Sequence, residues 1–152
     1  MAREIAAEMK GMDGPLLPIL HAFVQRFGHI TSEAITLIAD VLNLTRADVQ
    51  GVVSFYHDFR TTPAGRYVVK LCRAEACQAM GSEELASNLE QALGIKFGET
   101  TSDGRVTLEA VYCLGNCALS PAVLVNNQLR GRADETKILD MVASGLVGAG
   151  QP

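Results

Sequence analysis

Four cysteines fall into two pairs in this chain, Cys72-x4-Cys77 and Cys113-x3-Cys117, with residues 78–112 between the pairs. Thiolate is a soft, anionic ligand, and two of them this far apart on a loop can reach one metal without forcing the backbone far from normal geometry. Two such loops set side by side supply four thiolates, a set that suits tetrahedral zinc or an iron–sulfur cluster. Structural zinc sites often use tighter knuckles. The wider, unequal loops here favour irons ligated at separate points, with zinc as the alternative. The contiguous x4, x2 spacing of plant-type ferredoxins is absent. So is the Cys-x-x-Cys arrangement of a thiol–disulfide oxidoreductase. Four unrelated buried thiols seldom form two such regular pairs, and a disulfide framework is out of place in a reducing compartment.

The residues around the cysteines fit a negatively charged centre. Arg73-Ala74-Glu75-Ala76 and Leu114-Gly115-Asn116 are loops rich in small residues. Gly115 is expected to remove a side chain where backbone approaches a sulfur, and Gly81 to do the same beside the first pair. Arg73 either adds positive charge or lies at the surface or an interface. His21, His29 and His57 share no ligand spacing with the cysteines and read as packing or surface residues. Phe55, Tyr56 and Phe59 read as core or docking aromatics, and Glu83, Glu84 and Glu90 as a solvated helix face. No glycine-rich phosphate loop follows a strand, which argues against nucleotide binding by this chain.

The elements that must position these thiols divide into two unlike parts, residues 1–63 and 64–152, parted at the breaker cluster Thr61-Thr62-Pro63-Ala64-Gly65. The first is helical. Leu16, Ile19, Leu20, Phe23, Val24 and Phe27 recur at three- and four-residue steps before Gly28. A second helix starts after Thr31 or Ser32, with Ile35, Ile38, Ala39 and Leu42 inward. A third follows Thr45, with Asp48 completing a capping box and Val49, Val52, Val53 and Tyr56 on its apolar side. Beyond Gly65 the pattern predicts a strand over 67–71 ending at Cys72, then a helix over 82–93 capped by Ser82. Two strands over 95–101 and 106–112 follow, joined through Asp103-Gly104. Then come a strand over 122–125, a turn at Asn126-Asn127, a short strand over 128–130 and a helix from Asp134 to about Val142. The terminal Gly-Leu-Val-Gly-Ala-Gly-Gln-Pro reads as a loose tail. The fold class is α+β, with a small sheet covered by helices behind a three-helix segment.

Composition bounds the function. The 152 residues are 48% hydrophobic and 20% charged, the balance of a globular chain with a real core. The net charge of -4 gives no basis for nucleic-acid binding. No run approaches the roughly 18 apolar residues of a membrane span. The opening MAREIAAEMK lacks an apolar signal core, so a cytoplasmic location is expected.

Taken together, Phe55-Tyr56-x-x-Phe59, Leu71-Cys72-x4-Cys77, and Cys113-Leu114-Gly115-Asn116-Cys117-Ala118-x-x-Pro121 with Val125-Asn126 resemble the 24-kDa (NuoE-like) subunit family of respiratory NADH dehydrogenase. The resemblance implies a short helical N-terminal region followed by a thioredoxin-like ferredoxin domain. It also implies a [2Fe-2S] cluster rather than zinc, with Cys72 and Cys77 on one iron and Cys113 and Cys117 on the other. Within the family, residues 72–81 look most like the gamma subunit of soluble, molybdenum-dependent, NAD-linked formate dehydrogenases. Similar subunits serve respiratory complex I and NAD-linked hydrogenases. What the likeness implies is a non-catalytic electron-transfer subunit. It would bind neither formate nor NAD, and would work beside a flavin (FMN)/NAD-binding subunit and a molybdenum-containing catalytic subunit. A zinc-stabilised interaction module is the more distant alternative.

Overall fold

The structure is a computed structural model and describes residues 1–144; the glycine-rich tail lies outside the described residues. The chain forms two compact units, the first spanning Met1–Pro63 and the second beginning at Ala64.

The first unit is built from four helices: α1 (Ala2–Met9), α2 (Leu16–Phe27), α3 (Ser32–Leu42) and α4 (Arg46–Phe55). α1 stands in addition to the three helices read from the sequence. It is eight residues long and has no side-chain cap at its start, so it lacks the boundary signals of the others even though Ala2, Ile5, Ala6 and Met9 line one apolar side. The other three follow their local signals. Gly28 closes α2 in the left-handed region at φ 78°. The Thr31 hydroxyl accepts the Ala34 N–H at the start of α3. At α4, Thr45 Oγ1 accepts the Asp48 N–H at 3.1 Å while the Asp48 carboxylate accepts the Thr45 N–H at 3.0 Å. Ile19, Leu20, Phe23, Ile30, Ile35, Ile38, Val49, Val53 and Phe59 meet in one apolar core. Tyr56 departs from its expected inward position. α4 ends at Phe55, Tyr56 takes extended backbone, and both rings stand exposed.

The second unit runs β1 (Tyr67–Cys72), α5 (Glu75–Ala79), α6 (Ser82–Leu93), β2 (Val106–Val111), one 3-10 turn (Cys117–Leu119), β3 (Val123–Val125), β4 (Gln128–Arg130) and α7 (Glu135–Ser144). The strands form one sheet in the order β2-β1-β3-β4. β1 pairs parallel with β2 from Tyr67↔Val106 to Cys72↔Val111, and antiparallel with β3. A parallel neighbour requires a crossover, which α6 supplies. Tyr67, Val69 and Leu71 alternate inward from β1 and pack with Leu85 and Leu89 of α6, Leu108, Val123, Val125 and Ile138 of α7. The opposite face carries half-buried Val68 and Lys70, the latter 3.8 Å from Glu109.

In the second unit, three local readings differ from the structure. The segment over 95–101 is not a regular strand, although its second half lies along β2. It meets β2 at the bridge Thr100↔Thr107, and the Gly98 and Thr101 N–H groups donate to Leu108 O and Val106 O while the Leu108 N–H donates to Glu99 O. Gly98 bends it at φ 90°, and Glu90 and Glu99 carboxylates take the N–H groups of Phe97 and Lys96 that a ladder would have used. Ser82 does not cap α6. Gly81 holds that position at φ 90°, while the Ser82 hydroxyl is buried without a partner. The residues after Cys72 form the short helix α5 instead of a loop.

The cap of α4 sets a pH dependence. The Thr45 hydroxyl and then the Thr45 N–H, against burial, hold the Asp48 carboxyl below its ordinary value of 3.8. Because the folded value lies below the unfolded one, the stabilisation is complete above the unfolded value and disappears as pH falls through the folded one. Amide exchange in α4 should therefore accelerate beyond the intrinsic pH effect across that acid range, and Asp48→Asn should flatten the response. Thr45→Ala should weaken α4 by about 1 kcal/mol by the same exchange measurement.

Candidate metal centre

Parallel pairing is what gathers the thiols. Cys72 is the last residue of β1, and Cys113 lies just past the end of β2. Since the two strands run the same way in matched register, both cysteine loops leave from the same rim of the sheet. Cys72 is fastened on both sides: its N–H donates to Ala122 O at 3.0 Å, and the Arg73 N–H to Val111 O at 2.8 Å. Cys77 sits within α5, and Cys117 opens the 3-10 turn. All four sequence-predicted cysteines thus come to one rim. The sulfurs of Cys113 and Cys117 are 3.8 Å apart. Two sulfurs bound at about 2.3 Å to one tetrahedral metal are separated by about 3.8 Å, so this pair already has the spacing of a shared metal. Among the described residues, no group of three or more His, Cys, Asp or Glu side chains gathers as a single ion would require. His21 meets the Phe59 ring edge-to-face, and His29 bonds the Phe27 carbonyl, both in the first unit.

The two pairs differ in environment. Cys72 and Cys77 are buried, at 1% and 2% exposure, whereas Cys113 and Cys117 are exposed. Burial pushes the Cys72 thiol up. The N–H groups of Ala74, Cys113 and Leu114 and the Cys77 thiol oppose it, and the net result is a value below the ordinary thiol range. Cys117 moves the other way: the hydrogen bond and charge of Cys113, then burial, then the charges of Cys77 and Cys72 raise it. Cys72 is prepared to be anionic while Cys117 resists further negative charge. That pattern calls for cationic metal at the centre. A four-thiol donor set with N–H groups aimed at sulfur fits a [2Fe-2S] cluster.

Backbone geometry at the second pair is unusual. Cys113 has φ 89°, a conformation costly for a side-chain-bearing residue. It lies in the turn where the Gly115 N–H points at the Cys113 sulfur, 3.4 Å away. A Cβ on Gly115 would meet nothing within 4 Å, so glycine is needed there for its φ of 74° and not for lack of space. The close approach lies elsewhere, at Gly131, which sequence reading missed. A Cβ there would stand 2.5 Å from Leu119 Cβ and 2.8 Å from Leu119 O. Next to it, the Arg132 N–H donates to Leu119 O at 2.6 Å and the Ala133 N–H to Pro121 O at 2.9 Å. Residues 131–133 therefore clamp the loop that carries Cys117. A glycine following a strand was the only signal available. Arg73 is engaged as well: its guanidinium forks onto Glu83 and lies over Phe97, 5.0 Å from the ring centroid.

A two-layer α+β unit presenting two thiol pairs at one rim defines a small iron–sulfur protein. The chain matches the family described as thioredoxin-like [2Fe-2S] ferredoxin over residues 2–145. It belongs to that family, and the family's cofactor is a [2Fe-2S] cluster. It is 33% identical over 129 residues to an NADH-quinone oxidoreductase subunit from Buchnera aphidicola, covering 85% of this chain and 75% of that one. It is 32% identical over 131 residues to the HndA subunit of the NADP-reducing hydrogenase from Solidesulfovibrio fructosivorans, covering 86% and 77%. It superimposes with a TM-score of 0.71 at 26% identity on a chain of an NAD+-reducing [NiFe]-hydrogenase in the H2-reduced state, covering 85% of this chain and 22% of that one. These relatives are subunits of oxidoreductases. Among the described residues no helix is long and apolar enough to cross a membrane.

The two glycines should separate by mechanism. Gly115→Asn keeps a residue that tolerates positive φ and should still bind iron. Gly131→Ala should overpack the clamp at a cost of about 1–3 kcal/mol and lower the iron bound per chain, measured with acid-labile sulfide on the purified protein.

Proposed function

We propose that the chain is the [2Fe-2S] electron-transfer subunit of a soluble NAD-dependent formate dehydrogenase, with Cys72 and Cys77 on one iron and Cys113 and Cys117 on the other. The observation that carries the reading is the common rim of the two thiol pairs, one pair buried and one exposed. When bound, the cluster supplies a one-electron couple. The chain anchors it through β1, directs the N–H groups of Ala74, Cys113 and Leu114 at Cys72, and leaves the side of Cys113 and Cys117 open to a partner. Exposed apolar side chains flank the thiols in sequence: Met80 after Cys77, Tyr112 before Cys113, Leu119 after Cys117. At 74% exposure, Tyr112 is a docking group of the kind that interface centres favour. The partner proposed for this rim is a flavin (FMN)/NAD-binding subunit, with a molybdenum-containing catalytic subunit in the same cytoplasmic assembly. Support for formate dehydrogenase is the likeness of residues 72–81 to its gamma subunit.

The relatives' names favour a second reading, the equivalent subunit of an NADH:quinone oxidoreductase or an NAD-linked hydrogenase. Native co-purification separates them: flavin and molybdenum with NAD-dependent formate oxidation support the first. Nickel with hydrogen oxidation, or a membrane-bound quinone reductase, supports the second. The cluster is tested on the chain alone. Purified protein should be reddish, with two irons and two sulfides, and the dithionite-reduced form should give a rhombic S = 1/2 signal. A colourless protein with one zinc would make it an interaction module. Cys113→Ser should lose or disturb the cluster while far-UV circular dichroism shows the helices of the first unit retained.

A further inference from the structure

A hydroxyl lies between the two thiol pairs. Ser120 is 8% exposed; its Oγ donates to the Cys117 carbonyl at 2.7 Å and stands 3.5 Å from the Cys77 sulfur. The Ser120 N–H donates to the same Cys117 carbonyl at 3.3 Å, and the next residue, Pro121, is held by the Ala133 N–H at 2.9 Å. Ser120 therefore touches one ligand candidate from each pair, from a position fixed on both sides.

A hydroxyl has one hydrogen and two lone pairs. Opposite a Cys77 thiol the donors are in order: S–H to the Ser120 oxygen, and O–H to the Cys117 carbonyl. A sulfur that ligates metal carries no hydrogen, so the same contact sets lone pair against lone pair unless the O–H turns. Turning costs little, because the Cys117 carbonyl keeps the Ser120 N–H. It gains more, because a hydrogen bond to an anionic acceptor is about twice as strong as one to a neutral acceptor.

We propose that Ser120 is a positioning residue for the cluster: its hydroxyl donates to the Cys77 sulfur once that sulfur is a ligand, and thereby raises the reduction potential. The inference rests on Cys77 being a cluster ligand. A donor on a ligand sulfur stabilises the reduced form, which carries the extra negative charge.

The test is an EPR-monitored redox titration of the full chain as wild type, Ser120→Ala and Ser120→Thr, with iron and sulfide measured on each. Ser120→Ala should load normally and be harder to reduce by about tenfold, a shift of about 59 mV for one electron. Ser120→Thr keeps the hydroxyl and should stay with the wild type. A loaded Ser120→Ala at the wild-type potential overturns the inference and leaves the cluster assignment intact. If Ser120→Ala fails to load, Ser120→Gly removes the hydroxyl without a methyl, and the same two results decide. Failure of both to load makes the hydroxyl a folding contact and also overturns it. Wild type that binds no iron sinks the cluster assignment itself, and shows before any variant is made.

Discussion

Four sulfurs held at one rim repel one another as soon as they are anionic, and the second unit is organised around that repulsion. At 3.8 Å, the sulfurs of Cys113 and Cys117 cannot both ionise cheaply in the absence of metal, which is why Cys117 is pushed up. Backbone N–H groups offset part of the cost at Cys72, and bound iron would supply the rest. The arrangement is therefore incomplete without its cofactor in a specific, electrostatic sense. The protein contributes the geometry and the partial positive charges, and the metal supplies the balancing charge.

Holding the sulfurs in place against that repulsion falls to the sheet. β1 is bonded on both edges, so Cys72 sits at the end of an interior strand of the sheet. The parallel partner β2 carries the second pair to the same rim, and residues 131–133 press on the Cys117 loop from the far side. Strain at Cys113 and crowding at Gly131 are tolerated because the surrounding hydrogen bonds over-determine them. The result is a site buried at Cys72 and Cys77 and open at Cys113 and Cys117.

The helical unit has its own apolar core and its own capped helices, and it exposes Phe55 beside Tyr56, 5.0 Å apart between ring centroids. Such a division suits a protein in which one part carries the cofactor and another is available for contacts within a larger assembly.

The helices α2, α3 and α4 were legible in the residue order because their signals are local: three- and four-residue apolar steps, a capping box, a closing glycine. The four cysteines as a candidate donor set were legible for the same reason, since thiol chemistry and loop spacing belong to short segments. What the order of residues could not supply was anything depending on atoms distant along the chain. Within 95–101 only residues 98–101 lie along β2, because the carboxylates of Glu99 and Glu90 take the N–H groups of Lys96 and Phe97. The true crowded glycine, Gly131, is identified only by Leu119 folding against it, and the role of Ser120 only by Cys77 arriving beside it. Residue types and spacing determined which chemistry the chain can do. Tertiary packing decided which sulfur is buried, which N–H groups face it and which hydroxyl lies between the pairs, because burial and hydrogen bonding are properties of neighbours in space.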